Sequence, residues 1–159
     1  MRAEPPLSPL QQRVRETAAR MLSRRPLSCK GLGDKLLEKG FPELEVAQTL
    51  RWLEELGYLN DREYALWVIR SYRSRGYGPM RMRQELRRRG VSQELCEELL
   101  AECGENGEAI DAFLKKKLGG PAADRRELKR AADALARRGF SYEEIRSGLR
   151  RYTKLEDWD

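Results

Sequence analysis

Between Ser71 and Gly90 the chain reads SYRSRGYGPMRMRQELRRRG, with seven arginines, one glutamate and a Gly-Tyr-Gly-Pro break at its centre. Guanidinium groups stay charged at neutral pH and offer planar, paired donors that fit carboxylate or phosphate. The stretch contains no lysine, and only Glu85 stands four residues before a cation it could support. A solvated helix normally interleaves its charges, so this run points to an acidic or polyanionic partner. A plain arginine-rich solvent face is the simpler alternative. Helical periodicity turns Arg81, Arg87 and Arg88 away from a buried side marked by Met82 and Leu86, with Arg83 and Arg89 flanking it. On the preceding helix Tyr64, Ala65, Val68 and Tyr72 form the inward stripe, which leaves Arg70 and Arg73 outside. The candidate partner-binding residues are Arg70, Arg73, Arg75, Tyr77, Arg81, Arg83, Arg87 and Arg88. Tyr77 is expected to be exposed between its two glycines. Tyr64, Trp67 and Tyr72 are expected to pack, while Met80 and Leu66 face outward as apolar anchors.

Residues for other chemistry are scarce. The chain has no histidine, which removes His-dependent triads, the commonest general base and most zinc sites. Cys29, Cys96 and Cys103 are odd in number and form no CxxC pair. Cys96 falls on a core position and Cys29 on a half-buried one. Asp34, Glu38, Asp61, Glu63 and Asp111 make no metal-ligand pattern, and there is no GxGxxG or P-loop. Asp61 is read as helix-start chemistry. The expectation is a non-enzymatic protein with no metal and no cofactor.

Of the 159 residues, 40% are hydrophobic and 36% charged, with a net charge of +6 and a pI near 9.4. That balance suits a folded chain with polyanionic partners. The charge is polarised: Asp61 to Val91 holds nine arginines against three acids, whereas Ser92 to Glu105 holds five glutamates and no cation. No run approaches the roughly 20 apolar residues that span a bilayer, and MRAEPPLSPL lacks a signal-peptide core, so a cytoplasmic location is expected.

The elements that position these residues repeat. Gly40-Phe41, Gly90-Val91 and Gly139-Phe140 are spaced by 50 and 49 residues. Leu36, Leu86 and Leu135 precede the three glycines by four; Leu32, Met82 and Ala131 precede them by eight. Val46, Cys96 and Ile145, then Leu50, Leu100 and Leu149, follow in the same register. Steps of three and four are helix-core spacings, so the chain is read as three tandem copies of three helices, with no sheet. Caps are expected at Ser8 with Gln11, Asn60 with Glu63, Ser92, Asp124 with Glu127, and Ser141 with Glu144, with glycine stops at Gly40, Gly57 and Gly90. The fold class is all-α: repeats over 10–59, 60–105 and 106–153 in an elongated, curved array. A flexible end is expected over 1–9, an acidic tail over 154–159, and a break at Gly119-Gly120-Pro121.

Asn60-Asp61-Arg62-Glu63-Tyr64-Ala65, followed by Gly78-Pro79, Met82, Leu86 and Arg89-Gly90-Val91, resembles the signature of the RecX family of bacterial recombination regulators. The likeness is densest over Gly57 to Val91, and the helical repeat extends it from Leu10 to Tyr152. It implies a modulator of the RecA recombinase that binds RecA and the RecA–DNA filament, lodges in the filament groove and inhibits filament growth, ATP hydrolysis, strand exchange and repressor autocleavage. A monomer is expected, and weak direct DNA binding is compatible with the charge. A helical repressor acting on DNA is the alternative, but Pro79 and Met80 occupy the start of the basic helix, where a recognition helix would carry base-reading side chains.

Overall fold

A computed structural model describes residues 5–118 and 123–153 of the chain. The expected acidic tail, the Gly119-Gly120-Pro121 break and the first four residues of the expected N-terminal end lie outside the described residues. The described residues form α1 (Pro9–Arg24), α2 (Cys29–Glu38), α3 (Glu43–Glu55), α4 (Asp61–Ser74), α5 (Pro79–Arg88), α6 (Gln93–Glu102), α7 (Gly107–Lys117), α8 (Arg125–Arg137) and α9 (Tyr142–Tyr152), and no strand.

The helix ends follow from their caps. Ser8 Oγ accepts from the Gln11 amide at 3.1 Å while the Gln11 side chain accepts from the Ser8 amide at 2.9 Å, with Pro9 opening α1. Ser141 and Glu144 make the same reciprocal pair at α9. Asn60, Ser92 and Asp124 accept from the amides of Glu63, Leu95 and Glu127. Asp61 does something the sequence reading missed. Its carboxylate accepts the Cys29 amide at 2.7 Å, capping the start of α2 rather than its own helix. Gly40, Gly90 and Gly139 end the second helix of each copy with φ of 91°, 85° and 98°, a region where a side chain is strained.

Leu36, Leu86 and Leu135 are fully buried, as are their partners Leu32, Met82 and Ala131. In the third helices the register differs from expectation. Val46, Cys96 and Ile145 are buried, but Leu50, Leu100 and Leu149 are only partly so, and Thr49, Leu99 and Gly148 take the inner position. Steps of three and four residues fall on either side of one helix face, and here the core lies on the three-residue side. The Thr49 hydroxyl is satisfied by donating to Glu45 O at 2.8 Å.

The chain forms two compact units, one of residues up to 65 together with Arg89–Val91, the other of Leu66–Arg88 with the residues from Ser92 onward. In the first, α1, α2 and α3 pack on one another around Val14, Ala18, Leu32, Leu36, Val46 and Leu53. In the second, α7 and α8 pack on α9 around Ile110, Leu114, Leu128, Leu135 and Ile145, and α5 packs on α6.

Each unit contains one example of the same joint. In the first, Ser28 ahead of α2 donates its hydroxyl to Arg89 O, and Gly90 lies against Lys30, where an added Cβ would come within 2.7 Å of the Lys30 Cβ. In the second, the Gly78 amide ahead of α5 donates to Arg138 O at 2.8 Å, and the Met80 amide donates to Gly139 O at 3.0 Å. Ser28 and Gly78 are repeat equivalents, as are Arg89 and Arg138. The start of one second helix therefore docks on the glycine end of another.

Candidate partner-binding surface

The second joint positions two of the candidate arginines, Arg75 and Arg81. The Gly76–Met80 corner is pinned by its amides to the end of α8, and this brings Arg138 against the corner. Arg138 donates to Arg75 O at 3.1 Å, with its guanidinium carbon 5.6 Å from the Tyr77 ring centre and 5.1 Å from that of Phe113. Tyr77 also packs on Tyr72, ring centres 5.3 Å apart, with Arg75 and Arg81 at 5.8 and 5.6 Å from its own centre. Tyr77 was expected to be exposed. It is half-buried because Tyr72 backs it and three guanidiniums surround it, each a favourable cation–π contact. Arg138 was missed because it lies 61 residues beyond Tyr77; its place before a repeat glycine that lacks a side chain was the available signal.

The candidates separate by what already holds them. Arg73, read as outward, donates to Cys103 O at 2.7 Å and Glu105 O at 3.0 Å, satisfying carbonyls after α6. Arg83 pairs with Glu97, its Nη2 lying 3.2 Å from Glu97 Oε2. Arg88 is exposed but pairs with Glu85, whose side chain is only 6% accessible. Arg75 folds back over the Tyr72 ring at 4.4 Å and donates to Ser71 O. Arg70, Arg81 and Arg87 are exposed and make no ion pair among the described residues. Arg83, Arg87 and Arg88 line a shallow recess of about 320 Å³ with Gln84. The structure thus assembles one group at the Tyr77 corner (Arg75, Arg81, Arg138) and another along α5, while Arg70 joins neither by a direct contact.

Among the apolar candidates Met80 is half exposed, as expected. Trp67 was expected to pack but is 47% exposed. The inner face of α4 runs through Tyr64, Ala65, Val68, Ile69 and Tyr72, and Trp67 lies about 100° off Val68, beyond its edge.

Two of the cysteines, Cys29 and Cys96, are held as thiols. Burial first, then the hydrogen bond to the Glu54 carboxylate, pushes the Cys29 thiol up to about 12. Cys96 is buried, and that burial with nearby Glu97 raises it as well. No group of three or more potential metal ligands occurs among the described residues, and no helix there is long and apolar enough to cross a membrane.

These features define a class: an all-helical protein of tandem three-helix copies with an arginine-rich surface in the middle copy. Models described as the first, second and third three-helix domains of RecX match residues 15–53, 60–100 and 105–149. The chain belongs to the RecX family. Regulatory protein RecX of Halorhodospira halophila is 38% identical over 136 residues, covering 84% of either chain. That of Neisseria meningitidis serogroup A is 34% identical over 149 residues, covering 94% of this chain and 96% of the relative. The crystal structure of RecX from Lactobacillus salivarius matches with a TM-score of 0.86 at 20% identity, over 94% of this chain and all of that one. A second crystal structure, of a regulatory protein RecX, gives 0.74 at 19% identity, over 95% of this chain and 81% of the other. The three-copy helical fold read from the sequence is the fold of these proteins.

Proposed function

We propose that the protein is a non-enzymatic, cytoplasmic regulator that binds RecA and the RecA–DNA filament and inhibits filament growth, with the ATP hydrolysis, strand exchange and repressor autocleavage that depend on it. Membership of a family named as regulatory supports this, and one structural observation carries the choice of surface. Arg70, Arg81 and Arg87 are exposed and make no ion pair among the described residues, the Arg81 guanidinium meeting only the Tyr77 ring, whereas Arg73, Arg83 and Arg88 are held by carbonyls or carboxylates. Unpaired guanidiniums repel one another, and an acidic protein surface or bound phosphate would relieve that repulsion. Arg75 and Tyr77 form the shoulder of the contact, and Arg83 and Arg88 its margin along α5. Neither metal nor nucleotide is required of the regulator itself.

The test is DNA-dependent ATP hydrolysis by RecA with the protein added below stoichiometry. Inhibition that weakens as salt rises is expected, because exposed charges are screened beyond about 8 Å at physiological ionic strength. Unchanged hydrolysis at equimolar protein contradicts the proposal. Tight binding to one duplex sequence without RecA would favour a repressor instead.

A further inference from the structure

The two joints share a rule: a glycine-ended second helix, preceded by a cation, receives the first turn of another helix. A third copy of the receiving end exists at Lys39–Gly40. Nothing lies within 4 Å of a Cβ built on Gly40, whereas Gly90 and Gly139 are closely covered. The carbonyls of Lys39 and Gly40, equivalent to the acceptors at Arg138 and Gly139, accept no hydrogen bond among the described residues. Beside this open end a concave groove of about 650 Å³ runs between α1 and α2, carrying Arg20, Arg24, Arg25, Lys35 and Lys39 against the single acid Glu38. None of these five cations makes an ion pair among the described residues. Met21 and Leu27, both half-buried, add an apolar wall.

We propose that Lys39–Gly40 and this groove form a docking site for the acidic N-terminal turn of a helix from a protein partner. Three complementarities select that occupant. The exposed carbonyls at the C-terminal end of α2 take no donor from the described residues and are open to the unsatisfied N–H groups of a helix start. The negative end of the α2 dipole meets the positive end of the incoming one. The five cations match the acids that favour a first helical turn. Phosphate satisfies the cations but brings only acceptors to the carbonyls. In a second copy of this chain the α2 and α5 starts are already docked and the α8 start carries Arg125 and Arg126, but α3 and α9 open with Glu43 and Glu45 and with Glu143 and Glu144. Self-association in sedimentation that Arg24→Glu with Lys39→Glu abolishes would overturn a separate protein partner. The site lies outside the middle-copy surface, so its failure would leave the RecA proposal standing.

The probe is a fluorescein-labelled, lactam-stapled helical peptide opening Ser-Pro-Glu-Glu, compared by anisotropy with an isomer whose glutamates stand in the last turn, and with a labelled single-stranded oligonucleotide. The acid-start peptide is expected to bind the full chain at least roughly tenfold more tightly than its isomer. Arg24→Glu with Lys39→Glu should remove that advantage without changing the circular dichroism melt. If that pair fails to fold, Arg20→Gln with Arg25→Gln provides the same comparison. Equal affinity for the two isomers, or an advantage that survives the substitutions, overturns the proposal. So does groove-dependent binding of the oligonucleotide in preference to the peptide.

Discussion

A Cβ built on Gly78 would lie 2.6 Å from the carbonyl carbon and oxygen of Gly139. The two backbones touch where the start of α5 meets the end of α8, and this contact fixes the corner that holds Tyr77. Gly78→Ala is therefore expected to destabilise the protein by about 1–3 kcal/mol through overpacking against backbone that has little room to yield. Gly40→Ala meets no neighbour and should cost only its left-handed strain, about 1–2 kcal/mol. Chemical denaturation of both variants checks the ordering. A Gly78→Ala melt identical to the parent would show that the joint is loose.

Leu86 is fully buried on α5, and Leu86→Ala should cost about 2–5 kcal/mol. An unchanged denaturation midpoint would contradict its core position.

Arg70 and Arg73 lie three residues apart on one helix but differ in role. Arg73→Ala removes two bonds to the carbonyls after α6 and is expected to lower stability by about 1–3 kcal/mol. Arg70→Ala, at an exposed position, should stay within about 0.5 kcal/mol of the parent. Equal melting temperatures for the two variants would refute the distinction.

Much of the fold was legible because short-range rules suffice for it. The Ser8 and Ser141 caps, the glycine stops and the Leu36, Leu86 and Leu135 series all depend on residues within about one or two helical turns. Contacts of long sequence separation were not legible. Asp61 capping α2, Arg138 reaching Tyr77 and Arg73 reaching Glu105 depend on which helices meet, and no local pattern states that. Periodicity placed Arg81, Arg87 and Arg88 outside correctly, yet could not show that Arg88 serves the buried Glu85. Trp67 is exposed because its angle on α4, not its aromatic character, decides its burial.

Cys29 should resist alkylation. Its folded thiol is raised to about 12, so the folded state holds the proton more tightly than the unfolded chain. That stabilisation is intact below the ordinary thiol range and is lost as pH climbs towards 12. At pH 8 the folded thiolate fraction is correspondingly small, and iodoacetamide labelling of Cys29, read by peptide mass spectrometry, should be at least roughly tenfold slower than in denaturant. Equal rates in the two states would show that the thiol is not held by Glu54 and burial.

Charge reversal on α5 separates binding from structure. Arg88→Glu places a third-residue like charge beside the buried Glu85 and is expected to destabilise the protein. Arg81→Glu with Arg87→Glu touches no ion pair and removes one exposed cation–π contact to Tyr77, so its cost should stay within about 1 kcal/mol. A marked loss of stability in the latter pair would mean that these arginines serve the fold.

The most direct measurement of the central claim is the inhibition of RecA's DNA-dependent ATP hydrolysis by the Arg81→Glu, Arg87→Glu protein beside the parent. The parent should inhibit below stoichiometry. The folded double variant should need at least roughly tenfold more protein for the same effect, a loss of about 1.4 kcal/mol in binding. Inhibition by the double variant at the parent's concentration would contradict the arginine surface as the site of RecA engagement.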